Sequence, residues 1–243
     1  MGEITAILNG YKRPQFLQEQ INSINNQSIK PIEIMLWQNN TEGFNTELTN
    51  SITTASCNKN LGVWARFAFA LNAKTEYICI FDDDTIPGSK WFENCLTTMK
   101  THEGLLGTVG LIYDTPNNYR PNTRYGWTEI NNNDPIKVDI VGHAWFFKRE
   151  WLSTFWGELP PKGIEVVGED MHFSYMLQKY LNINTYVPPH PVNNKEMWGS
   201  TKGWEMGTER NALSFNESNI HIMDRYHKFL ISKGFKLINH DKI

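Results

Sequence analysis

The chain has 243 residues, a mass of 28.2 kDa, 40% apolar residues and a formal net charge of -3, which suits one globular domain with a sizeable core. No run of Lys or Arg occurs, so a polybasic membrane anchor and a non-specific nucleic-acid binder are excluded. Its three cysteines lack any CxxC spacing, which supports neither a disulfide framework nor structural zinc and points to a reducing, cytoplasmic setting.

The opening MGEITAILNG has no basic n-region and only a short apolar stretch, so neither a signal peptide nor a membrane span is expected. Gly2 stands in the myristoylation position, but Ala6 occupies the place where Ser or Thr is wanted. Ile4 to Leu8 reads as a strand, and after Pro14 the residues Phe16, Leu17, Ile21 and Ile24 share a helical face. A second strand runs from Ile32 to Trp37, Asn39 and Asn40 open a loop, and a weak strand covers Ser51 to Ser56. Val63, Trp64, Phe67, Ala68 and Leu71 repeat at helical spacing ahead of the strand Tyr77 to Phe81, which ends in Asp82, Asp83 and Asp84. Behind Pro87-Gly88, Trp91, Phe92, Cys95, Leu96 and Met99 form another helical face. Strands separated by helices imply an α/β fold with a Rossmann-like, mainly parallel sheet, whose ligands bind beyond the carboxyl ends of the strands.

The second half is less regular. Leu105 to Tyr113 and Val138 to Phe147 read as strands, and the Asn- and Pro-rich stretch Asp114 to Lys137 between them reads as a long functional loop. Phe173, Met176, Leu177, Tyr180 and Leu181 form a helical stripe, with Gly168, Glu169 and Asp170 at its start. A short strand at Tyr186-Val187, a Gly-, Pro- and Trp-rich segment, and a helix over Asn219 to Ser232 close the chain.

Three adjacent carboxylates repel unless a cation sits among them, and Mg²⁺ or Mn²⁺ binds one or two carboxylates while leaving positions for phosphate oxygens. Alternation along an extended chain puts Asp82 and Asp84 on one side and Asp83 on the other. A solvated acidic turn opening the next helix is the plain alternative. Haloacid-dehalogenase-type phosphatases also carry DxD behind an apolar strand, but that motif opens the chain and continues with Gly and then Thr or Val, whereas Thr85 and Ile86 follow here.

The segments ITAILNGYKRPQFLQEQINSINNQSIKPIEIMLWQNN and NKNLGVWARFAFALNAKTEYICIFDDDTIP together resemble a GT-A glycosyltransferase of the family 2 type, over about the first 100 residues. They are also similar to glycosyltransferases of large algal viruses. The resemblance implies a single GT-A domain with a nucleotide-sugar-binding half, 1–104, and an acceptor-binding half carrying the catalytic base, 105–243. The implied activity is metal-dependent transfer of a hexose from a nucleotide diphosphate, a UDP-sugar first among candidates, to a hydroxyl of a glycan or glycoprotein, with inversion. A domain of this fold that binds glycans or nucleotides without turnover is the alternative.

Carried over residue by residue, the resemblance places Asn9, Gly10, Tyr11 and Arg13 at the nucleotide, and Gln38 and Asn39 at the base, where the family usually has Asp. Asn60, Gly62 and Arg66 match the N-x-G turn and the following helix, although an exposed helix arginine is an equal reading of Arg66. Asp82 and Asp83 meet the donor, and Asp82 and Asp84 meet the metal, with His190 as a third ligand or else an ordinary histidine. In GED, Asp170, with Glu169 beside it, is the catalytic base; helix capping alone gives the same pattern. His143 is a candidate for the acceptor site, and Trp198 and Trp204, with Trp127, Arg120 and Arg124 of the long loop, are candidates either to close over the donor or to face an acceptor sugar, with local packing as the alternative.

Overall fold

The computed structural model describes residues 2–40, 52–120, 122–126, 130–164, 166–206, 213 and 216–239. The first strand, β1 (Ile4–Gly10), is buried along nearly all of its length, as a central strand covered on both faces should be. It pairs in parallel with β2 (Glu33–Asn39) on one side and β4 (Tyr77–Phe81) on the other, and β3 (Thr53–Cys57) continues the parallel set beyond β2. A 3-10 turn at Pro14–Phe16 leads into α1 (Leu17–Asn25), which buries Leu17, Ile21 and Ile24 together with Gln20. Helix α2 (Ala65–Phe69) is shorter than the spacing predicts. A 3-10 turn at Ala70–Asn72 tightens its end, so Trp64, Phe67 and Ala70 face the core while Ala68 and Leu71 are exposed. Helix α3 (Trp91–Thr101) buries the apolar face expected of it.

The remaining strands are β5 (Gly104–Leu106), β6 (Val109–Tyr113), β7 (Asn122–Gly126), β8 (Ile136–Val138), β9 (Ile140–Gly142), β10 (Ala144–Lys148) and β11 (Asn184–Val187). The main sheet runs β3-β2-β1-β4-β10-β5-β11-β8, and a smaller one runs β7-β6-β9. Beyond β4 the main sheet is mixed, because β10 lies antiparallel between β4 and β5. Residues on either side of 104 therefore build one sheet around one core.

Each of the two long strands expected in the second half is broken, and the breaks are where the chain changes sheets. At Gly107 a side chain would bring Cβ to 2.5 Å from that of Val141, so only glycine lets the two backbones cross. At Asp139 the carboxylate accepts from the Tyr113 and Ile238 N–H groups, both at 2.8 Å, which ties the corner. At His143 the backbone turns left-handed, with φ at +70°. The expected loop contains β7, whose polar sequence NTRYG shows no apolar alternation and is held by its pairing to β6.

Four helices complete the described chain: α4 (Trp151–Phe155), α5 (Glu169–Leu181), α6 (Gly203–Met206) and α7 (Glu217–Ser232). Helix α5 starts at left-handed Gly168, where a Cβ would meet the Tyr226 ring at 2.6 Å. Tyr180 and Leu181, expected on its buried stripe, are exposed. Among the described residues no helix is long and apolar enough to cross a membrane, and the three cysteines carry free thiols. Ser51 and Trp127 lie outside the described residues, as does the side chain of Trp204.

Candidate active site

The carboxyl ends of β1, β2 and β4 open into a cavity of about 530 Å³ lined by Asn9, Tyr11, Arg13, Asn39, Asn60, Gly62, Arg66, Asp82, Asp83, Asp84, Glu169 and Asp170. Residues scattered through the sequence thus meet at the place where open α/β sheets bind ligands.

The acid loop has a fixed backbone. Gln20, 1% exposed on α1, donates from Nε2 to the carbonyls of Asp82 at 2.7 Å and Thr85 at 2.8 Å. The Asp82 N–H donates to the His143 carbonyl at 3.0 Å. Further along, Gln27 donates to the Gly88 carbonyl at 2.7 Å, and the Gly88 N–H reaches the Trp198 carbonyl at 2.8 Å. Asn94 on α3 reaches the carbonyls of Pro189 and Met197 at 2.8 and 2.9 Å, fastening that strap to the helix. Buried carbonyls paired in this way resist movement, because breaking either bond strands an acceptor without water.

On this frame Asp82 Oδ1 accepts from Arg66 Nη1, while Asp82 Oδ2 lies 3.5 Å and Asp84 Oδ1 3.7 Å from His143 Nδ1. Arg13 Nη1 lies 2.7 Å from Asp83 Oδ1 and 3.3 Å from Asp84 Oδ2. Asp82 and Asp84 face one side, as the alternation predicts, but Asp83 does not turn away from the cavity. The chain curls at Asp82, with the Thr85 N–H returning to its carbonyl at 3.2 Å, and the extended geometry ends with β4. Burial pushes the Asp83 carboxyl up to about 7, against the pull of Arg13. For Asp84 burial also disfavours the charge, but His143 and Arg13 outweigh it and hold the carboxyl below its ordinary range. His143, in turn, is held above the usual imidazole value by Asp84 and Asp82 although burial opposes this.

Asp82, Asp84 and His143 bring their potential ligand atoms within 4.8 Å of one another. Two carboxylates and an imidazole nitrogen fit a hard or borderline divalent cation such as Mn²⁺ or Mg²⁺. The histidine in this group is not the expected one. His190 is 2% exposed, stacks on Trp198 at 4.2 Å between ring centroids and exchanges backbone hydrogen bonds with Asn132 at 2.7 and 3.3 Å. Its place is in the strap behind the loop, and the left-handed turn at the sheet switch presents His143 instead.

Arg66 is not an exposed helix arginine. It is 2% exposed, its guanidinium lies 4.6 Å from the centre of the Trp145 ring, and its Nη2 donates to Glu169 Oε1 at 2.7 Å. It therefore ties the acid loop to the start of α5 and is committed to carboxylates. Burial pushes Glu169 up to about 7 and Asp170 up to about 6, with Arg66 opposing in both cases. Asp170 Oδ1 accepts from the Met171 N–H at 2.7 Å.

Asn39 is a scaffold for the N-x-G turn. Its amide donates to Asn60 Oδ1 at 2.7 Å and to the Gly62 carbonyl at 3.2 Å, and its oxygen accepts from the Leu61 N–H at 2.7 Å. Gln38 is buried and accepts from the Ser56 hydroxyl. Neither Gln38 nor Gly10, the last residue of β1, is among the residues lining the cavity.

The opposite wall comes from the smaller sheet and its surroundings: Val109, Leu111, Ile140, Gly142, Tyr119, Arg120, Arg124 and Met223 of α7. Trp198 is not on it and donates to the Pro191 carbonyl at 2.8 Å. Apart from the two arginines, nothing in the sequence marks this wall, since its residues become neighbours only through the sheet switches.

The protein-family model "Glycosyl transferase family 2" matches residues 5–156. No curated protein sequence matches. Among solved structures, the fold is similar to that of S. aureus TarS 1-349 in complex with UDP-GlcNAc, with 14% identity, a TM-score of 0.58 and coverage of 99% of this chain and 69% of that one. It is similar also to TarS 1-349 in complex with UDP, with 13% identity, a TM-score of 0.53 and coverage of 77% and 60%. Of the longer S. aureus TarS chain this one covers 36%, with 15% identity and a TM-score of 0.54. The architecture is the GT-A fold, and with more than half its length matched the chain belongs to glycosyl transferase family 2.

Proposed function

We propose that the protein transfers a sugar from a nucleoside diphosphate to an acceptor hydroxyl with inversion at the anomeric carbon. The observation that carries this reading is the single cavity shared by Asp82, Asp84 and His143 on one side and Glu169 and Asp170 on the other. Donors with UDP are favoured, because TarS structures of the same fold hold UDP and UDP-GlcNAc. Asp82, Asp84 and His143 would hold a divalent cation, which would supply Lewis acidity toward the leaving diphosphate.

Each residue then has a task. Arg13 keeps Asp83 and Asp84 in place, and Asn9 and Tyr11 line the donor end. Arg66, paired to both Asp82 and Glu169, ties the acid loop to the start of α5 and favours the ionised form of Glu169. Asp170 has Oδ1 occupied by the Met171 N–H, which leaves Oδ2 to take the proton of the acceptor hydroxyl. Its elevated pKa makes it a stronger base than a solvated aspartate while leaving it ionised at neutral pH.

The test is a transfer and donor-hydrolysis assay over a panel of UDP-sugars with glycan and glycoprotein acceptors, in Mn²⁺, in Mg²⁺ and in EDTA. Turnover that EDTA abolishes, together with Asp170→Asn protein that still binds UDP but transfers no sugar, is expected. UDP-sugar binding without turnover under every condition would instead identify a non-catalytic binding domain.

A further inference from the structure

The wall facing the acid loop is ordered by its strand register. Directly opposed residues of antiparallel strands share a face, and two rows of the smaller sheet meet the cavity. One row reads Arg124, Leu111, Ile140, and in the next the opposed pair Val109 and Gly142 lines the cavity. The Gly142 end is open: a Cβ there would meet only Val109 Cγ1 at 3.4 Å and Trp145 Cζ2 at 3.9 Å. That row leaves a low floor between the acid loop and Arg124.

Arg124 is half-buried and lines the cavity, and its recorded side-chain hydrogen bond is a long one, from Nε to Asn122 Oδ1 at 3.3 Å. Among the described residues it makes no ion pair. Arg13 and Arg66, by contrast, are each bound to two carboxylates. Arg124 and Asp170 line the same cavity, and the buried Tyr119 lines it with them. The cation and Asp170 therefore share one chamber.

From Arg124, which has no carboxylate partner among the described residues, and the open floor at Gly142 in the cavity shared with Asp170, we propose that this wall is an acceptor subsite for a hydroxyl compound carrying an anionic group, a phosphate, sulfate or carboxylate. The proposal rests on the transferase reading and adds the chemical class of the acceptor. A guanidinium with free N–H groups recognises such oxyanions through paired, charge-assisted hydrogen bonds. The apolar floor accepts the carbon skeleton, and the hydroxyl meets Asp170.

The experiment separates the donor site from the acceptor wall by filling the former. Protein saturated with UDP and Mg²⁺ is titrated calorimetrically with inorganic sulfate, then with glucose 6-phosphate, glucuronate and glucose. The anionic probes should bind more tightly than glucose. Arg124→Gln should weaken the anionic probes by at least about tenfold, Arg124→Lys by less, and both should leave UDP affinity within about twofold. Equal binding of glucose and its anionic counterparts, or no effect of Arg124→Gln on them, overturns the subsite. So does a tenfold loss of UDP affinity in Arg124→Gln, which would assign the arginine to the donor. Failure of the unmodified protein to bind UDP with Mg²⁺ would instead overturn the transferase reading, and the subsite with it.

Discussion

The two walls of the cavity are built differently. On the donor side every charged group has an opposite charge within reach, and the loop that carries Asp82 to Asp84 is pinned by the buried amide of Gln20, with Gln27 holding its far end. On the facing side the strands are short, the cavity-facing residues apart from Tyr119, Arg120 and Arg124 are apolar or glycine, and Arg124 has no carboxylate partner among the described residues. The first wall holds a fixed charge pattern, which diphosphate chemistry demands whatever sugar it carries. The second carries few charges, and under the proposed function it is the part that would set acceptor choice.

The largest effect should come from the donor wall. Asp84→Ala removes one of the grouped ligand atoms, and transfer should fall by about a thousandfold or more with loss of Mn²⁺ binding in calorimetry. Asp170→Asn should lower kcat by roughly 10²–10⁴-fold with UDP affinity unchanged, as expected when only a general base is lost. The same base predicts a pH profile. Since Asp170 must be ionised and its carboxyl is pushed up to about 6, kcat should fall as pH drops through about 6, and a profile flat down to pH 4 would exclude it as the base.

A smaller effect concerns stability. Burial raises the folded-state pKa of Asp139 to about 6, of Asp170 to about 6 and of Glu169 to about 7. These groups favour the folded state when protonated, below the ordinary carboxylate range, and that contribution is lost as pH rises through 6 to 7. In EDTA, Tm should therefore decline from pH 5 to pH 8. Gln20→Leu, which leaves two loop carbonyls unpaired, should cost about 2–4 kcal/mol in denaturant unfolding and weaken Mn²⁺ binding as well. Least of all, Gly142→Ala should keep the Tm of the parent, because its methyl makes only ordinary contacts, while raising the acceptor KM. If KM is unchanged, the floor is not used.

The contrast between the walls also explains what the sequence reveals. The parallel set β1, β2 and β4 and the helices between them follow from apolar runs and helical spacing, and the donor-side acids are contiguous at the end of a strand. The second half hides its structure because the chain changes sheets at Gly107–Thr108, Asp139 and His143, none of which interrupts the apolar pattern enough to show. Strand β7 is polar and forms through pairing alone. His143 replaces His190 beside the acids for the same reason: a left-handed residue at a sheet switch is a property of the assembled fold, and no local spacing announces it.

The central claim is that one cavity holds the metal, the sugar diphosphate and the base. A crystal structure with Mn²⁺ and a UDP-sugar tests it most directly. The expected result is a cation bound by Asp82, Asp84 and His143 and touching the diphosphate, with the Asp170 carboxylate on the face of the anomeric carbon opposite the leaving group. A donor held outside this cavity, or an Asp170 on the same face as the diphosphate, would contradict it.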